Sequence, residues 1–223
     1  MSQRASGAAD FLSLEGRERE SERDRRSRPR SPRSSRLSAL LDWQAVRVLL
    51  RPPVESDRLE FIRAMAASEA LHEPWISDIA TDEYFDRQLV RVTHDRYDAN
   101  LVCLVDGGQI AGTFNITEIV RGVFQSAYLS YAAVAGHEGQ GLMSEGLQLL
   151  LDRAFMELGL HRLEANIQPG NARSIALVRR AGFVCEGTSP RYLKLGGEWR
   201  DHQHWVLLAE DWAAQAESAA LHS

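Results

Sequence analysis

The sequence predicts a mixed α/β fold in which helices cover the faces of one sheet, with elements in the order β-αα-βββ-α-β-α-ββ. Three observations predict it. Residues 128–158 read as an apolar strand, a glycine-rich turn and an amphipathic helix with apolar side chains at helical spacing. Residues 161–168 alternate between apolar and polar side chains, as a half-buried strand does. Two Gly-Gly pairs, at 107–108 and 196–197, separate strand-like runs, which is typical of β-hairpins.

The first half of the predicted domain holds one strand, two helices and three more strands. A helix that begins near Ser56 or Asp57 ends before Pro74, because proline lacks the N–H that a helix interior needs. A second helix begins at Thr81 or Asp82. The predicted strands of this half are residues 45–50, 100–106, 109–119 and 125–135.

The second half alternates helices with strands. The helix that follows the glycine-rich turn ends at Gly159, since glycine commonly follows the last helical residue. Asn171 caps a short helix, and Gly182 ends it in the same way. The predicted strands of this half are residues 161–168, 183–188, 192–195 and 198–208.

Composition divides the chain into three parts. Residues 15–36 contain no aliphatic side chain and mix arginine, acids, serine and proline, so residues 1–40 are predicted to form a disordered tail. The folded domain is expected over residues 43–212, with a C-terminal tail at 213–223. The arginine-rich stretch 25–36 allows a weak electrostatic contact with RNA or the ribosome. A solvated tail, or a start codon assigned too early, explains the same stretch.

Charge and hydropathy exclude several classes of protein. With 44% hydrophobic residues and a formal charge of −5, the chain can bury a core and lacks the positive excess that nucleic acids attract. No apolar run reaches the length of a membrane span, and no hydrophobic segment follows the basic N-terminal stretch. Cys103 and Cys185 lie in apolar runs without metal-ligand spacing, so we expect buried, reduced thiols and a cytoplasmic location.

The turn of residues 136–141 places backbone N–H groups at a helix N-terminus, which is a site for an anion such as a phosphate. It is not a Walker loop, because Leu142 and Met143 stand where Lys and Ser/Thr would follow. Nor is it a dinucleotide fingerprint, which needs glycine or alanine where Ser144 stands. Two interpretations of the turn remain: it binds another phosphate ligand, or it is an ordinary strand-to-helix connection.

Residues 138–143, Glu-Gly-Gln-Gly-Leu-Met, resemble the Gln/Arg-x-x-Gly-x-Gly/Ala pyrophosphate loop of the GNAT family of N-acetyltransferases. Residues 171–183 are similar to that family's second cofactor segment, with its asparagine, short helix and closing Gly-Phe. Residues 71–75, 141–145 and 197–202 resemble the RimJ/RimL group, whose members acetylate the N-terminal α-amine of ribosomal proteins.

This resemblance covers about residues 45–212 and implies the acyl-CoA N-acyltransferase fold, with acetyl-CoA as donor and a protein N-terminus as acceptor. It further implies that backbone N–H groups hold the pyrophosphate. The expected cofactor-binding residues are Val134, Ala135, Glu138, Gly139, Gln140, Gly141, Leu142, Met143, Asn171 and Ser174. Glu138 stands where the family usually has Gln or Arg, so we expect its charge to point away from the pyrophosphate or to weaken binding.

In enzymes of this family the amine attacks the thioester directly, so no covalent enzyme intermediate is expected. N–H groups near Val134 and Ala135 are expected to bind the thioester oxygen. Many members use a tyrosine on the short helix as the general acid, but Val178 occupies that place, and the RimJ/RimL alternative is Ser174. Ser174 and Asn171 also fit an ordinary helix N-terminus.

The general base stays open between several residues. Some relatives carry a glutamate at the position of Asn166, whose amide cannot take a proton, whereas Glu164 shares that strand face and could act through water. Tyr192 follows Arg191, where the related pattern has a carboxylate; Glu186 and Asp201 are other carboxylates nearby. The candidate catalytic residues are Ser174, Glu164, Asn166 and Tyr192, and the candidate acceptor-binding residues are Glu73, Trp75, Arg191 and Asp201.

Two rival functions stay open beside protein N-terminal acetylation. One is acetylation of a small amine, such as an amino acid, polyamine or antibiotic. The other is a regulatory module that binds acetyl-CoA without catalysis, a reading motivated by the departures at Asn166, Val178 and Arg191. His202 and His204 could share one strand face, but no third ligand is evident, so we expect no metal.

Overall fold

The computed structural model describes residues 46–221, and the tail predicted for residues 1–40 lies outside them. One seven-stranded sheet organises the described chain, in the order β1-β2-β3-β4-β5-β7-β6. Its strands are β1 Val48–Arg51, β2 Asp98–Leu104, β3 Ile110–Val120, β4 Ser126–Ala133, β5 Arg162–Ile167, β6 Val184–Leu195 and β7 Glu198–Leu208. β4 and β5 pair in parallel and the other neighbours pair antiparallel, so the predicted mixed sheet is confirmed.

Three helices lie between β1 and β2, one follows β4, one follows β5 and one follows β7. Their bounds are α1 Arg58–Ala67, α2 Glu69–His72, α3 Asp82–Val92, α4 Leu142–Asp152, α5 Ala172–Arg180 and α6 Ala209–Leu221. A 3-10 turn, Glu55–Asp57, precedes α1, and a π-helical turn, Arg153–Glu157, continues α4. The predicted element order is present, with the one-turn helix α2 added between β1 and β2 and α6 added at the end.

Side-chain caps fix the starts of two helices. Thr81 Oγ1 accepts a backbone N–H from the first turn of α3 at 3.1 Å, and Asn171 Oδ1 accepts the N–H of Ser174 at 3.1 Å. Both predicted caps are therefore confirmed. Asp57 acts differently, because its carboxylate accepts two hydrogen bonds from the Arg51 guanidinium, at 2.6 and 2.7 Å, and so ties the end of β1 to the start of α1.

Apolar side chains pack on both faces of the sheet. One core, which includes Leu147 and Trp212, lies between the sheet and helices α4 to α6. The other, which includes Phe61 and Phe85, lies beneath α1 and α3. Because side chains alternate along a strand, the first core takes Leu163, Ala165 and Ile167 of β5, and the polar residues between them face the layer of α1 to α3.

The C-terminus differs from the predicted tail at 213–223, because α6 continues to Leu221. The sequence of α6 is rich in alanine, which favours helix, and one aromatic side chain anchors it to the core. That anchor is Trp212, whose ring lies 5.4 Å from the ring of Phe155. Among the described residues, no helix is long and apolar enough to cross a membrane.

The two cysteines differ in burial. Cys103 is buried as predicted, but the prediction for Cys185 was wrong, because this residue is exposed. Cys185 lies on β6, the last strand of the sheet, and within residues 46–221 no further strand lies beside its outer edge. An apolar run on such an edge is not evidence of burial.

Candidate active site

The site is organised by a gap between β4 and β5. These parallel strands pair only at their beginnings, ending with Tyr128 opposite Glu164, and then continue to Ala133 and Ile167 without further pairing. A cavity of about 960 Å³ opens here. It is bounded by the α2–α3 segment on one side and by the 136–141 turn, α4 and α5 on the other.

The glycine-rich turn is held in place from two directions. Arg47 donates from Nη1 to the Gln140 carbonyl at 2.8 Å and from Nε to the Glu145 carboxylate at 3.0 Å. The Gln140 side chain donates to the Gly136 carbonyl at 3.0 Å. Gln140 therefore closes the turn on itself, and Arg47 joins the turn to the first turn of α4.

Glycine is required where the turn meets the helix. Gly141, the N-cap of α4, has φ 80° and ψ 0°, a left-handed conformation that other residues adopt at a cost of about 1–2 kcal/mol. The first intrahelical bond runs from the N–H of Glu145 to the Gly141 carbonyl, so the N–H groups of residues 142–144 have no partner within the helix. These groups lie at the cavity end of α4, where the sequence predicts an anion site, and are its candidate donors.

Glu138 already places a negative charge against this turn. Its carboxylate accepts the N–H of Gly136 at 2.5 Å. Hydrogen bonds from its own N–H and from that of Gly136 hold the pKa of this carboxyl below its usual range. The side chain is thus an anion within the turn, and it stays ionised at a pH where an ordinary glutamate begins to protonate.

Replacing Glu138 by glutamine removes that charge while keeping the side-chain length. We expect acetyl-CoA to bind the Glu138→Gln variant about two- to fivefold more tightly at low salt, with the gain shrinking as salt screens the repulsion between carboxylate and pyrophosphate. Isothermal titration at two ionic strengths measures this. Glu83→Gln, an exposed site in the first turn of α3, is the matched charge control. Clearly weaker binding to Glu138→Gln would mean that the carboxylate assists the ligand.

The backbone donors predicted for the thioester are occupied. The N–H of Val134 donates to the Ala111 carbonyl at 2.9 Å, and that of Ala135 donates to Ser68 Oγ at 2.8 Å. N–H groups along a strand alternate between its two neighbours, so those of Tyr131 and Ala133 point away from β3 and toward the gap. Tyr131 and Ala133, which both line the cavity, are therefore the candidate donors in place of Val134 and Ala135.

Two hydroxyl groups lie on the α5 side of the gap. Ser174 lines the cavity, and its carbonyl accepts a hydrogen bond from the Tyr131 hydroxyl at 3.4 Å. Burial raises the pKa of Tyr131 to about 12, so this phenol stays protonated at neutral pH. Val178, where many family members have a tyrosine, is fully buried in the core. Sequence reasoning found Ser174 but missed Tyr131, which reaches the same helix from β4.

The predicted acceptor-binding residues fall into two groups. Glu73 and Trp75 line the cavity, and the Trp75 ring covers Gly170, where an added Cβ would lie 3.0 Å from the ring. Arg191 and Asp201 are exposed on the β6–β7 ribbon outside the cavity, where the Arg191 N–H donates to the Asp201 carboxylate at 2.7 Å. The structure brings the first pair to the cavity but not the second.

His204, which the sequence suggested only as a metal ligand, has Glu164, Asn166 and Tyr192 around its ring. His204 Nδ1 lies 3.1 Å from the Glu164 carboxylate and 2.6 Å from Asn166 Oδ1. Its ring meets that of Tyr192 edge-on at 4.7 Å. The sequence could not reveal this, because β7 inserts between β5 and β6 and only that order pairs Asn166 with His204. Residues 46–221 contain no group of three side chains arranged to hold a metal.

Arginines at the mouth of the cavity were also missed. Arg173 and Arg180 of α5 line it beside the glycine-rich turn, and Arg180 lies 3.5 Å from Ser144 Oγ. They stand seven positions apart, which places them on the same side of a helix, and that spacing was the available signal. Together with the free N–H groups of α4, they make this end of the cavity suited to a phosphorylated ligand.

Comparison with known proteins agrees with this arrangement. Residues 47–184 match the family model of the acetyltransferase (GNAT) domain. The probable N-acetyltransferase YjcK of Bacillus subtilis is 31% identical over 174 residues, which cover 74% of this chain and 95% of that protein. A solved structure of Mycobacterium smegmatis RimJ in complex with CoA-disulfide has a TM-score of 0.68 and 29% identity, covering 78% of this chain and 88% of the other.

Two further relatives differ in their acceptors. The ribosomal protein uS5-alanine N-acetyltransferase of Escherichia coli is 38% identical over 107 residues, which are 48% of this chain and 55% of that enzyme. The spermidine N(1)-acetyltransferase of Escherichia coli is 21% identical over 168 residues, covering 73% of this chain and 87% of that enzyme. The family match, the sheet with its gap and the glycine-rich turn establish that the chain belongs to the GNAT family of N-acetyltransferases.

Proposed function

We propose that this enzyme transfers the acetyl group of acetyl-CoA to the N-terminal α-amine of a protein, with ribosomal proteins as the first candidates. The observation that carries the proposal is the polar face of β5 and β7. Helices α1 and α3 pack on β2 and β3. Glu164 and His204 lie farther along that face, and their side chains are 13% and 19% exposed. We infer that a chain terminus approaches the gap along this polar face. The RimJ-like relatives support the same acceptor.

The geometry of the glycine-rich turn supports a binding mode for acetyl-CoA. The N–H groups at the start of α4, with Arg173 and Arg180, bind the pyrophosphate, and the open edge of β4 lies along the pantetheine arm. The N–H groups of Tyr131 and Ala133 then lie where the thioester oxygen gains charge. Donors of this kind typically contribute about 2.7–4 kcal/mol each.

The reaction needs one new bond and one broken bond. The amine nitrogen attacks the thioester carbon, and the carbon–sulfur bond then breaks to release CoA. A proton must leave the nitrogen, and another must reach the sulfur. Tyr131 and Ser174 hold hydroxyl protons on the α5 side of the gap, whereas Glu164 and His204 lie on the opposite face of the sheet.

The choice of an α-amine has a chemical basis. A protein α-amine, with a pKa of about 7.7–8.0, is roughly one-tenth neutral at pH 7, whereas a lysine amine near 10.4 is neutral below about one part in a thousand. The candidate base lies on the polar face of β5 and β7. There Glu164, Asn166 and His204 form a hydrogen-bonded network, which differs from a lone carboxylate in an apolar pocket. Such a site suits an amine that needs little help to lose its proton.

Release of CoA thiol, followed with a thiol-reactive dye, tests the proposal. At pH 7 we expect a peptide that begins with alanine to react with a kcat/KM roughly 10²-fold above that of the same peptide with a blocked N-terminus and an internal lysine. Mass spectrometry places the acetyl group on the first residue. The spermidine relative makes a polyamine the second candidate, so spermidine is assayed in parallel. Preference for spermidine would overturn the proposed acceptor, and acetyl-CoA binding without thiol release would favour a regulatory module.

A further inference from the structure

One arginine outside the cavity braces the junction between the glycine-rich turn and α4. Arg47, which directly precedes β1, donates from Nη1 to the Gln140 carbonyl at 2.8 Å. Its Nε and Nη2 each lie 3.0 Å from Glu145 Oε2, in the first turn of α4. The backbone of Arg47 is itself fixed, because the Val105 N–H donates to the Arg47 carbonyl at 2.9 Å. One anchored side chain thus holds the turn and the helix together.

We infer that Arg47 is a positioning residue for the pyrophosphate of acetyl-CoA. It acts in two ways, by orienting the peptide between Gln140 and Gly141 and by balancing the charge of Glu145. The inference rests on the proposed function, because it concerns the donor that this function uses. Arg47 and Gln140 do not line the cavity, so the guanidinium acts through the turn.

The hydrogen bond to the Gln140 carbonyl orients the N–H that follows it. In a planar trans peptide, the C=O and the next N–H point in opposite directions. Arg47 therefore turns the Gly141 N–H away from itself. Gly141 lines the cavity, and its N–H has no partner within residues 46–221. This N–H is a fourth candidate donor to the pyrophosphate, beside the three free N–H groups of residues 142–144.

The guanidinium also packs against the glycine whose N–H it orients. A Cβ added to Gly141 would lie 3.4 Å from Arg47 Nη2. This close approach and the left-handed φ of 80° both favour glycine at the position. The contact and the hydrogen bond together keep the peptide before Gly141 in one orientation.

The charge of Glu145 is the second argument. A carboxylate in the first turn stabilises a helix, but it repels an anion that binds at the same end. Arg47 engages both of its oxygens, because Oε1 accepts the Arg47 N–H at 2.6 Å and Oε2 contacts the guanidinium. The ion pair therefore carries almost no net charge. Without Arg47, the start of α4 would present an uncompensated negative charge to the pyrophosphate.

Arg47 differs in this respect from the arginines of α5. Arg173 and Arg180 line the cavity, so each can contact a phosphate directly. The effect of Arg47 instead passes through backbone N–H groups that bind the pyrophosphate and through Glu145. Its loss should therefore matter only for donors that contain a pyrophosphate, and it should matter less once Glu145 is neutral.

Isothermal titration of the full chain with acetyl-CoA tests both expectations. Arg47→Ala should raise the Kd about 20-fold, because one donor loses its orientation and Glu145 loses its counter-charge. Arg47→Lys keeps the charge but not the planar fork of donors, so its Kd should rise about fivefold. In a Glu145→Gln background, Arg47→Ala should also cost only about fivefold, since no unpaired carboxylate remains.

Donors that differ in their phosphates provide a second measurement, made with the acceptor that the parent uses best. In Arg47→Ala, the KM for 3′-dephospho-acetyl-CoA, which keeps the pyrophosphate, should rise by the same factor as that for acetyl-CoA. The kcat should stay within about twofold of the parent, because a group that aids ground-state binding changes KM alone. The kcat/KM for S-acetylpantetheine, which has no phosphate, should also stay within about twofold.

Arg96→Ala is the matched control. Arg96 also pairs with a carboxylate, that of Glu118, and its side chain is 52% exposed against 51% for Arg47. The control should leave the Kd unchanged, and its Tm shows what the loss of such an ion pair costs in stability.

The role of Arg47 is overturned if Arg47→Ala binds acetyl-CoA like the parent. It is also overturned if this variant loses S-acetylpantetheine and acetyl-CoA turnover by one factor, as a distorted cavity would. Equal losses with and without Glu145→Gln would overturn the charge compensation. A parent that binds acetyl-CoA but acetylates no amine would overturn the proposed function instead, and the Kd comparison would still decide the role of Arg47.

Discussion

Replacing Tyr131 by phenylalanine is expected to lower kcat by about 10²-fold, the lower end of what a general acid contributes. The departing thiolate needs a proton, and the phenol, whose pKa burial raises to about 12, is fully protonated in the working range. Its hydroxyl donates to the Ser174 carbonyl in the first turn of α5. We therefore propose that Tyr131 on β4 supplies the acid for which many family members use a tyrosine at the position of Val178, in the last turns of α5.

The competing acid is Ser174, and the two variants separate the possibilities. Ser174→Ala should lower kcat by less than about tenfold if serine only supports the phenol. Pre-steady-state thiol release and the Kd for acetyl-CoA are measured for both variants, because loss of an acid slows release and leaves the Kd unchanged. Turnover that falls with Ser174→Ala but not with Tyr131→Phe would restore the assignment made from the sequence. A weaker Kd in Tyr131→Phe would mean that the phenol shapes the cavity.

Gly112→Ala should damage both the fold and the donor site. A Cβ on Gly112 would lie 2.8 Å from the Ala132 carbonyl of β4 and 2.6 Å from the Met143 sulfur at the start of α4. A backbone atom cannot swing aside as a side chain can, so β4 must shift where it borders the gap. We expect a loss of about 2 kcal/mol in the free energy of unfolding, or roughly 4–8 °C in Tm. Acetyl-CoA should bind about tenfold more weakly, a difference of about 1.4 kcal/mol.

Gly187→Ala is the matched control. Gly187 also lies in a strand, and no atom approaches within 4 Å of its added Cβ. There the alanine should leave acetyl-CoA binding unchanged and raise stability by less than about 1 kcal/mol. Combining Gly112→Ala with Met143→Ala removes the sulfur contact but not the carbonyl contact, so recovery should be partial. If Gly112→Ala behaved like Gly187→Ala, the close approach of β3 and β4 would not constrain the site.

The same contact explains a departure from the family loop. Met143 stands where the family usually has glycine or alanine, and its side chain fills the space that the missing side chain of Gly112 leaves. The two residues lie 31 positions apart in the printed sequence. Neither position alone predicts the other, because their complementarity exists only once β3 and α4 pack on the same side of the gap.

The periodicity of apolar side chains and the residues typical of turns predicted much of the fold. The alternation of residues 161–168 predicted β5, and the Gly-Gly pairs predicted both hairpins. Thr81 and Asn171 predicted their caps because those contacts form within three residues of the chain. The left-handed glycines of the glycine-rich turn are equally local, whereas Arg47 braces that turn from a position 93 residues away.

Tertiary structure decided what depends on the neighbours of a strand. Whether an N–H is available cannot be read from its residue, and the donors expected at Val134 and Ala135 are occupied by Ala111 and Ser68. The burial expected for Cys185 failed because β6 is an edge strand, which the sheet order settles.

The polar face of β5 and β7 shows most clearly which features the sequence determined and which the tertiary structure decided. The sequence by itself determined that Glu164 and Asn166 share a polar strand face, since a period of two is a local property. It could not place His204 between them and Ser189, because that requires β7 to lie between β5 and β6, against chain order. Local rules thus determined the elements and the candidate anion site, whereas the candidate base depends on long-range strand pairing, which only the folded sheet defines.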